Sequence, residues 1–305
     1  MGFKIIRADE PEIIETINVL IYGEPGSGKT SLAFTAKDPI LLDFDKGSYR
    51  TDFKKSRIKV LDWEENVIKN LKTIEEDFAE FQTIIIDTVE TCLEAMGAWI
   101  VKKDSKYAMQ KYKLQYYGQL KDEAGRFIAI MNSLGKDVIQ IAHVKEKDEG
   151  DLRIKRPQIT GGTYDKILQI SDFVGYQSII SGKRKIDFNP TEFHVGKNSA
   201  KFDVISIPDF TKVPDFMEQT IISMKKSLGE IATSQTESLK IIKEFKEKLE
   251  KAETAESLNV LMEVMKDEQP IIKKQIWSLM KEKSIKINAE FHKAEGVFFP
   301  KEEKK

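Results

Sequence analysis

Eight residues from Gly23 to Thr30, GEPGSGKT, follow the spacing G-x-x-x-x-G-K-[ST], and each part of that pattern suits the holding of phosphate groups. Gly23, Gly26 and Gly28 let the backbone turn tightly. Successive main-chain amides of a loop that also carries Glu24, Pro25 and Ser27 can then aim at anionic oxygens, together with the N-terminus of a following helix entered at Ser31. Lys29 supplies an ammonium group able to reach the β and γ phosphates of a nucleotide, and Thr30 a hydroxyl able to ligate Mg²⁺. Gly23 to Ser31 therefore form the candidate binding set for ATP and its Mg²⁺.

A second component lies at Thr83–Thr88, TIIIDT. Three consecutive isoleucines predict a strand buried on both faces, with Asp87 emerging at its carboxyl end to hold the metal together with Thr30. Hydrolysis also needs a carboxylate to orient or deprotonate water. Asp45, in LLDFDKG, lies just past a predicted strand, whereas Glu90 stands three residues beyond Asp87. Asp45 is favoured, because loops at strand carboxyl ends converge on the ligand crevice in sheets of this kind. The alternative is that Asp43 and Asp45 only end a strand and start a turn. Thr88 follows Asp87 where an adjacent Asp-Glu pair would carry glutamate, which counts against the AAA-plus arrangement.

The elements that must position these groups alternate short apolar runs with helical patterns from Ile17 to Ile207, the signature of an α/β fold with a mostly parallel sheet. Strands are predicted at 18–22, 39–44, 58–61, 83–87 and 138–142. Helices are predicted at 64–81, on the spacing of Val67, Ile68, Leu71, Ile74, Phe78 and Phe81, and at about 115–134. FVGYQSII, KIDFN and EFHVG predict antiparallel strands at one side of the sheet. Pro208 and Pro214 mark a boundary, so residues 208–235 are expected to link the core, 17–207, to a small helical module at 236–300. Ser234-Gln-Thr-Glu237 fits a capping box for its first helix. Residues 1–16 read as an N-terminal extension and 301–305 as a tail.

Of 305 residues, 49 are basic and 50 acidic, so any affinity for nucleic acid must come from a local surface rather than from net charge. Cys92, the single cysteine, excludes an intramolecular disulfide, and His143, His194 and His292 lack metal-ligand spacing. No run of eighteen apolar residues occurs, so neither secretion nor a membrane anchor is expected, and reducing cytoplasm is the simplest location.

The order of these features resembles the RecA-type recombinase core across Ile17–Ile207. An acidic residue follows the second strand (Asp45), and a strand-borne aspartate leads into a helix and a DNA-contacting segment (DTVET onward). A later strand ends in a polar sensor position (IAHVK), a mobile loop runs into Thr160-Gly161-Gly162, and a last strand carries Lys197-Asn198. With the helical tail included, the chain is most similar to compact RecA-like ATPases that phages encode near recombination and single-strand-annealing genes. The resemblance implies a DNA-dependent ATPase assisting annealing or exchange. It puts His143 at the γ-phosphate-sensing position and Lys197 where it reaches the ATP of a neighbouring subunit in a homo-oligomer. The sensor position reads Ala-His rather than Asn-Gln, and the N-terminal polymerisation segment of long bacterial recombinases is missing.

Two basic segments are candidates for single-stranded DNA. Residues 102–126 interleave Lys111 and Lys113 with Tyr112 and Tyr116, cations for phosphates and rings for unpaired bases, although the same tyrosines could pack inward from a solvated helix face. Residues 145–162 read as a mobile loop with Arg153, Lys155 and Arg156 at its centre. The C-terminal helices suit a partner such as a single-strand-binding or annealing protein. Rival readings are a replication ATPase such as a helicase loader, and a nucleotide-dependent assembly module with little turnover.

Overall fold

The computed structural model describes residues 13–51, 55–150, 152–266 and 268–301. The expected N-terminal extension and tail therefore fall outside the described residues at 1–12 and 302–305. The chain divides into two compact units, Ile14–Leu228 and a second that contains the chain from Gly229 onward.

The first unit runs β1 (Asn18–Gly23), α1 (Lys29–Ala33), β2 (Pro39–Asp43), β3 (Ser56–Lys59), α2 (Trp63–Asn66), α3 (Ile74–Asp77), β4 (Thr83–Asp87), α4 (Val89–Lys103) and α5 (Lys113–Ser133). It continues with β5 (Asp137–Glu149), β6 (Leu152–Pro157), α6 (Thr163–Ile170), β7 (Phe173–Ile180), β8 (Lys183–Asp187), β9 (Lys197–Asn198) and β10 (Ile205–Ser206). The sheet order is β10-β8-β7-β1-β5-β4-β2-β3. From β7 to β3 neighbouring strands are parallel, while β8, β9 and β10 pair antiparallel at one side. The α/β class and mostly parallel sheet expected from the alternating pattern are what the chain adopts.

Burial on both faces explains why these strands are nearly continuous apolar runs. Ile84 and Ile86 of β4 join one core cluster with Leu20, Tyr22 and the buried stripes of α4 and α5. Ile85 points the other way, into a cluster with Val19, Ile21, Leu32 and Met217. Register then decides where the polar strand ends meet. Gly23 pairs with His143 and with Gln177, and Asp87 pairs with Asp43. The carboxyl edge of the sheet thus gathers the phosphate loop, two carboxylates and the imidazole, with Asp87 level with Ile141, two residues before His143.

Several local expectations are corrected. Residues 64–81 form no single helix but α2, a 3₁₀ turn at Ile68–Asn70 and α3. Asn70 Nδ2 donates to the Glu65 carbonyl, which a continuing helical ladder would give to the Lys69 amide, while Asn66 Oδ1 accepts from the amides of Leu61 and Asp62 ahead of α2. Residues 145–149 and 152–157 are paired antiparallel strands, the end of β5 and β6, rather than a mobile loop. The mixed charge that reads as loop-like is cross-strand pairing, with Glu146 opposite Lys155 and Asp148 opposite Arg153, around a turn where Gly150 takes φ +64°. Strand β7, grouped in the sequence with the antiparallel strands, is parallel to β1.

Helix α7 (Phe216–Glu250) is continuous through Ser234–Glu237, so no cap forms there. The hydroxyls of Thr233 and Thr236 instead donate to the carbonyls of Gly229 and Ala232, four residues back. Within the second unit, α8 (Ala255–Met265) and α9 (Pro270–Lys286) pack Leu258, Ile272, Ile276 and Met280 with Phe245 and Leu249. The unit is not wholly helical. A hairpin of β11 (Ala289–His292) and β12 (Val297–Pro300) follows α9, where Asn288 at φ +53° ends the helix and Gly296 at φ +72° makes the turn. Phe298 caps the cluster, with Trp277 and Phe291 against it.

Candidate nucleotide site

The loop from Gly23 to Thr30 closes over the end of β1, and Gly26 and Gly28 take φ of +76° and +91°, conformations that side-chain-bearing residues rarely adopt. Gly23 is required for a different reason. A Cβ there would lie 2.3 Å from the Gln177 carbonyl oxygen of β7. Gln177 also donates from Nε2 to the Ser27 carbonyl at 2.7 Å, tying the loop to the neighbouring strand.

Lys29 is buried, and its Nζ donates to the carbonyls of Gly23 and Glu24 at 2.9 Å each, so the lysine is held across the mouth of its own loop. Burial pushes its ammonium down to about 8, against the attraction of Asp87, Glu24 and Asp45. Thr30 Oγ1 donates to Asp87 Oδ2 at 2.6 Å. Burial pushes the Asp87 carboxyl up to about 6, while the Thr30 hydrogen bond pulls it down. A buried carboxylate joined to a hydroxyl beside a phosphate loop is a donor pair that fits a hard divalent cation.

The amides of Phe44 and Asp45 both donate to the Asp87 carbonyl, at 2.8 and 3.1 Å, and fix the start of the loop after β2 against the end of β4. Asp45 thereby faces the same cleft as the phosphate loop. Asp43 is buried and accepts from the Ser48 hydroxyl at 2.5 Å, which gives it a turn-closing task instead. His143 stands at the point where β5 passes the cleft. Burial, and then Lys29, hold its imidazole below the usual range, and Nδ1 is buried without a hydrogen-bond partner among the described residues.

These groups line one cleft of about 350 Å³ with Pro25, Gly26, Gly28, Ser31, Gly47, Thr51, Thr88 and Arg184. Lys29, Thr30, Asp45 and Asp87, expected from the motifs, and His143, expected from the resemblance, are brought together. Glu90 is not among the lining residues, and its Oε1 accepts from Gln158 Nε2 at 2.6 Å. Lys197 also stands outside the lining. Its Nζ caps the end of α6, donating to the carbonyls of Leu168, Gln169 and Ser171 at 3.4, 3.2 and 2.5 Å. Gly47, Thr51 and Arg184 are absent from the sequence-based set, because nothing local to them signals phosphate.

The basic candidates divide by exposure. Lys111 and Lys113 are exposed, and the Lys111 ammonium lies 5.0 Å from the Tyr112 ring centre. Tyr116 packs inward, its hydroxyl occupying the space that a side chain on Gly97 would fill. On the hairpin, Arg153 is exposed and pairs with Glu146 and Asp148 at 3.7 and 3.3 Å. Lys155 donates to the Tyr176 hydroxyl at 3.0 Å, and the Arg156 guanidinium lies 4.6 Å from the Tyr164 ring centre.

A glycine loop on a central parallel strand, a buried lysine, and a hydroxyl at the loop's end paired with a carboxylate from the next strand but one define a phosphate-loop ATPase of the α/β class. Residues 15–200, more than half of the chain, match the family described as AAA domain, AAA_24. The chain belongs to that family, with Thr88 rather than an acidic residue after Asp87. No curated protein gives a significant match. Among solved structures, a KaiC-like protein from the hyperthermophilic archaeon Pyrococcus horikoshii OT3 is similar at 12% identity and a TM-score of 0.33, over 57% of this chain and 78% of that one. Among the described residues no helix is long and apolar enough to cross a membrane.

Proposed function

We propose that the chain is a Mg²⁺-dependent ATP hydrolase that works on single-stranded DNA in recombination, in the manner of the RecA-type core that its motifs resemble. The observation that carries the hydrolase reading is the convergence of Lys29, Thr30, Asp87, Asp45 and His143 on one cleft. Thr30 and Asp87 would hold the metal, whose chemistry is to neutralise charge on the phosphate oxygens. Lys29 binds the terminal phosphates. Asp45 orients the attacking water, and His143 donates a ring N–H to the γ-phosphate.

DNA is assigned to the two basic segments. The β5–β6 hairpin supports this reading, because β5 carries His143 into the cleft and then runs on to the basic strand β6. Nucleotide and strand would then act on one element. Lys197 is assigned to the active oligomer, in which it would leave the end of α6 for a neighbour's nucleotide. The second unit is assigned to a single-strand-binding or annealing partner. The deciding experiment measures ATP turnover by the purified chain with and without single-stranded DNA at low salt. Stimulation that falls steeply as salt rises is expected. Turnover indifferent to DNA, with no binding at low salt, would remove the DNA assignment, and no turnover with any DNA would remove the hydrolase.

The buried lysine gives a second, independent test. In the nucleotide-free protein Lys29 loses its proton as pH rises through about 8, whereas phosphate binding needs the ammonium form. Affinity for ATP should therefore be level near neutrality and decline above pH 8, approaching about tenfold per unit. Binding at pH 8.5 should take up a proton. Calorimetry in buffers of different ionisation heat reads that uptake, and heats independent of the buffer would contradict it.

A further inference from the structure

Arg184 lies two strands away from the phosphate loop in the sheet order β8-β7-β1, yet its side chain lines the nucleotide cleft. The register explains the reach. Gly23 at the end of β1 is level with Gln177 of β7, while Arg184 is opposite Ile179, two residues further along. The side chain therefore starts above the rim of the sheet, at the height to which the loop rises beyond β1, and crosses one strand to meet it. Its Nε lies 3.1 Å from the position a Cβ on Gly28 would take. The glycine thus does two things, adopting a positive φ and leaving room for the guanidinium.

The surroundings of this guanidinium are incomplete in a particular way. It lies 5.7 Å from the ring centre of buried Phe210, and the Arg184 backbone is pinned by its carbonyl accepting from the Ile207 amide at 2.9 Å. Its Nε is buried and has no hydrogen-bond partner among the described residues. The carboxylate it influences is that of Asp209, which hydrogen bonds from Thr211 and, in smaller part, Arg184 hold below its ordinary range, without a close ion pair among the described residues. A guanidinium stays charged at any ordinary pH, and buried donors are nearly always paired. A planar cation held by packing, short of an acceptor and facing a phosphate loop is prepared for a phosphate oxygen.

We infer that Arg184 binds the phosphates of the nucleotide from within the same chain, as a second cation opposite Lys29. This rests on the ATP reading of the cleft and adds to it a residue that neither the loop motif nor the Lys197 assignment supplies. The site then carries two cations of its own before any neighbour contributes.

The test compares ATP affinity of the full chain with Lys29 intact and Arg184 changed. Arg184→Ala should weaken ATP binding roughly 10- to 100-fold, the range of a lost charge-assisted hydrogen bond. Arg184→Gln, which keeps a stem over Phe210 and so preserves packing, should show a comparable loss, whereas Arg184→Lys should recover part of the affinity. The nucleotide-free melting temperature of the Gln variant should match that of the unchanged protein. Mixing Arg184→Ala with Lys29→Ala chains should restore nothing, since the cation acts in its own chain. Folded Arg184→Gln that binds ATP as tightly as the unchanged chain would overturn the inference, as would recovery on mixing. If the unchanged chain itself fails to bind ATP, the reading of the cleft falls and the inference with it; equal binding by both chains removes the inference alone.

Discussion

Lys29→Ala is expected to weaken ATP binding by about 10- to 100-fold and to reduce turnover by roughly a further 10²–10³-fold, while the protein stays folded. The first loss is that of a charge-assisted contact to the terminal phosphates. The second arises because an ammonium fixed in a water-poor loop stabilises charge that grows on the phosphate oxygens only as the bond breaks. Folding should survive for a reason the geometry supplies. Lys29 is buried at some cost to its charged form, as its depressed pKa of about 8 records, so removing it also removes a desolvated cation. The carbonyls of Gly23 and Glu24 lose their donor, at a cost of about 1–3 kcal/mol for the buried one, whereas Glu24 is exposed to water. Equilibrium binding of a fluorescent ATP analogue, steady-state hydrolysis and a thermal melt measure the three quantities separately. Turnover within tenfold of the unchanged protein would mean that the chemistry takes place somewhere other than this loop.

The parts of the site legible in the sequence are those whose chemistry is written in a few adjacent residues. Glycines at fixed spacing with Lys29 and Thr30, and an apolar run ending in Asp87, each state their own conformation, because a tight turn needs glycine and a strand buried on both faces needs unbroken aliphatic side chains. Asp45 follows from them, since a parallel sheet brings all its carboxyl ends to one edge, while His143 is indicated by the resemblance to the RecA-type core. Arg184 does not follow. Within GKRKIDF three consecutive cations are equivalent until a register is known, and only the pairing of Ile179 with Arg184 turns one of them toward the loop.

The pairing of β5 with β6 is obscured by the opposite effect. Charges that satisfy one another across two strands look, in one dimension, like the composition of a solvated loop. The broken helix at 64–81 and the unbroken α7 are failures of the same local rule. Asparagine and threonine side chains bond to nearby backbone in either case, and whether that stops a helix or merely decorates it depends on the burial of neighbouring turns.

The division of labour between Asp45 and Glu90 leads to the second large effect. Glu90 is three residues from Asp87 in sequence and Asp45 follows the neighbouring strand β2, but the two are treated differently by the fold. Asp45 is fixed by its own amide to the Asp87 carbonyl and faces the cleft, whereas Glu90 is engaged by Gln158, whose amide in turn donates to the His143 carbonyl. A water-orienting group must have a free carboxylate oxygen inside the cleft, and a group already accepting a 2.6 Å hydrogen bond outside it is a poor candidate. Asp45→Asn keeps the size and the backbone anchor and removes only the charge and basicity. Turnover should therefore fall by about 10²–10⁴-fold, with ATP affinity changed by no more than about threefold. Glu90→Gln should retain turnover within several-fold, because the amide can still meet Gln158 after a flip. The informative comparison is single-turnover hydrolysis with saturating ATP, which separates chemistry from binding. Should Asp45→Asn cleave ATP normally while Glu90→Gln does not, the Gln158 contact is a resting arrangement and the catalytic carboxylate is the one that Gln158 releases.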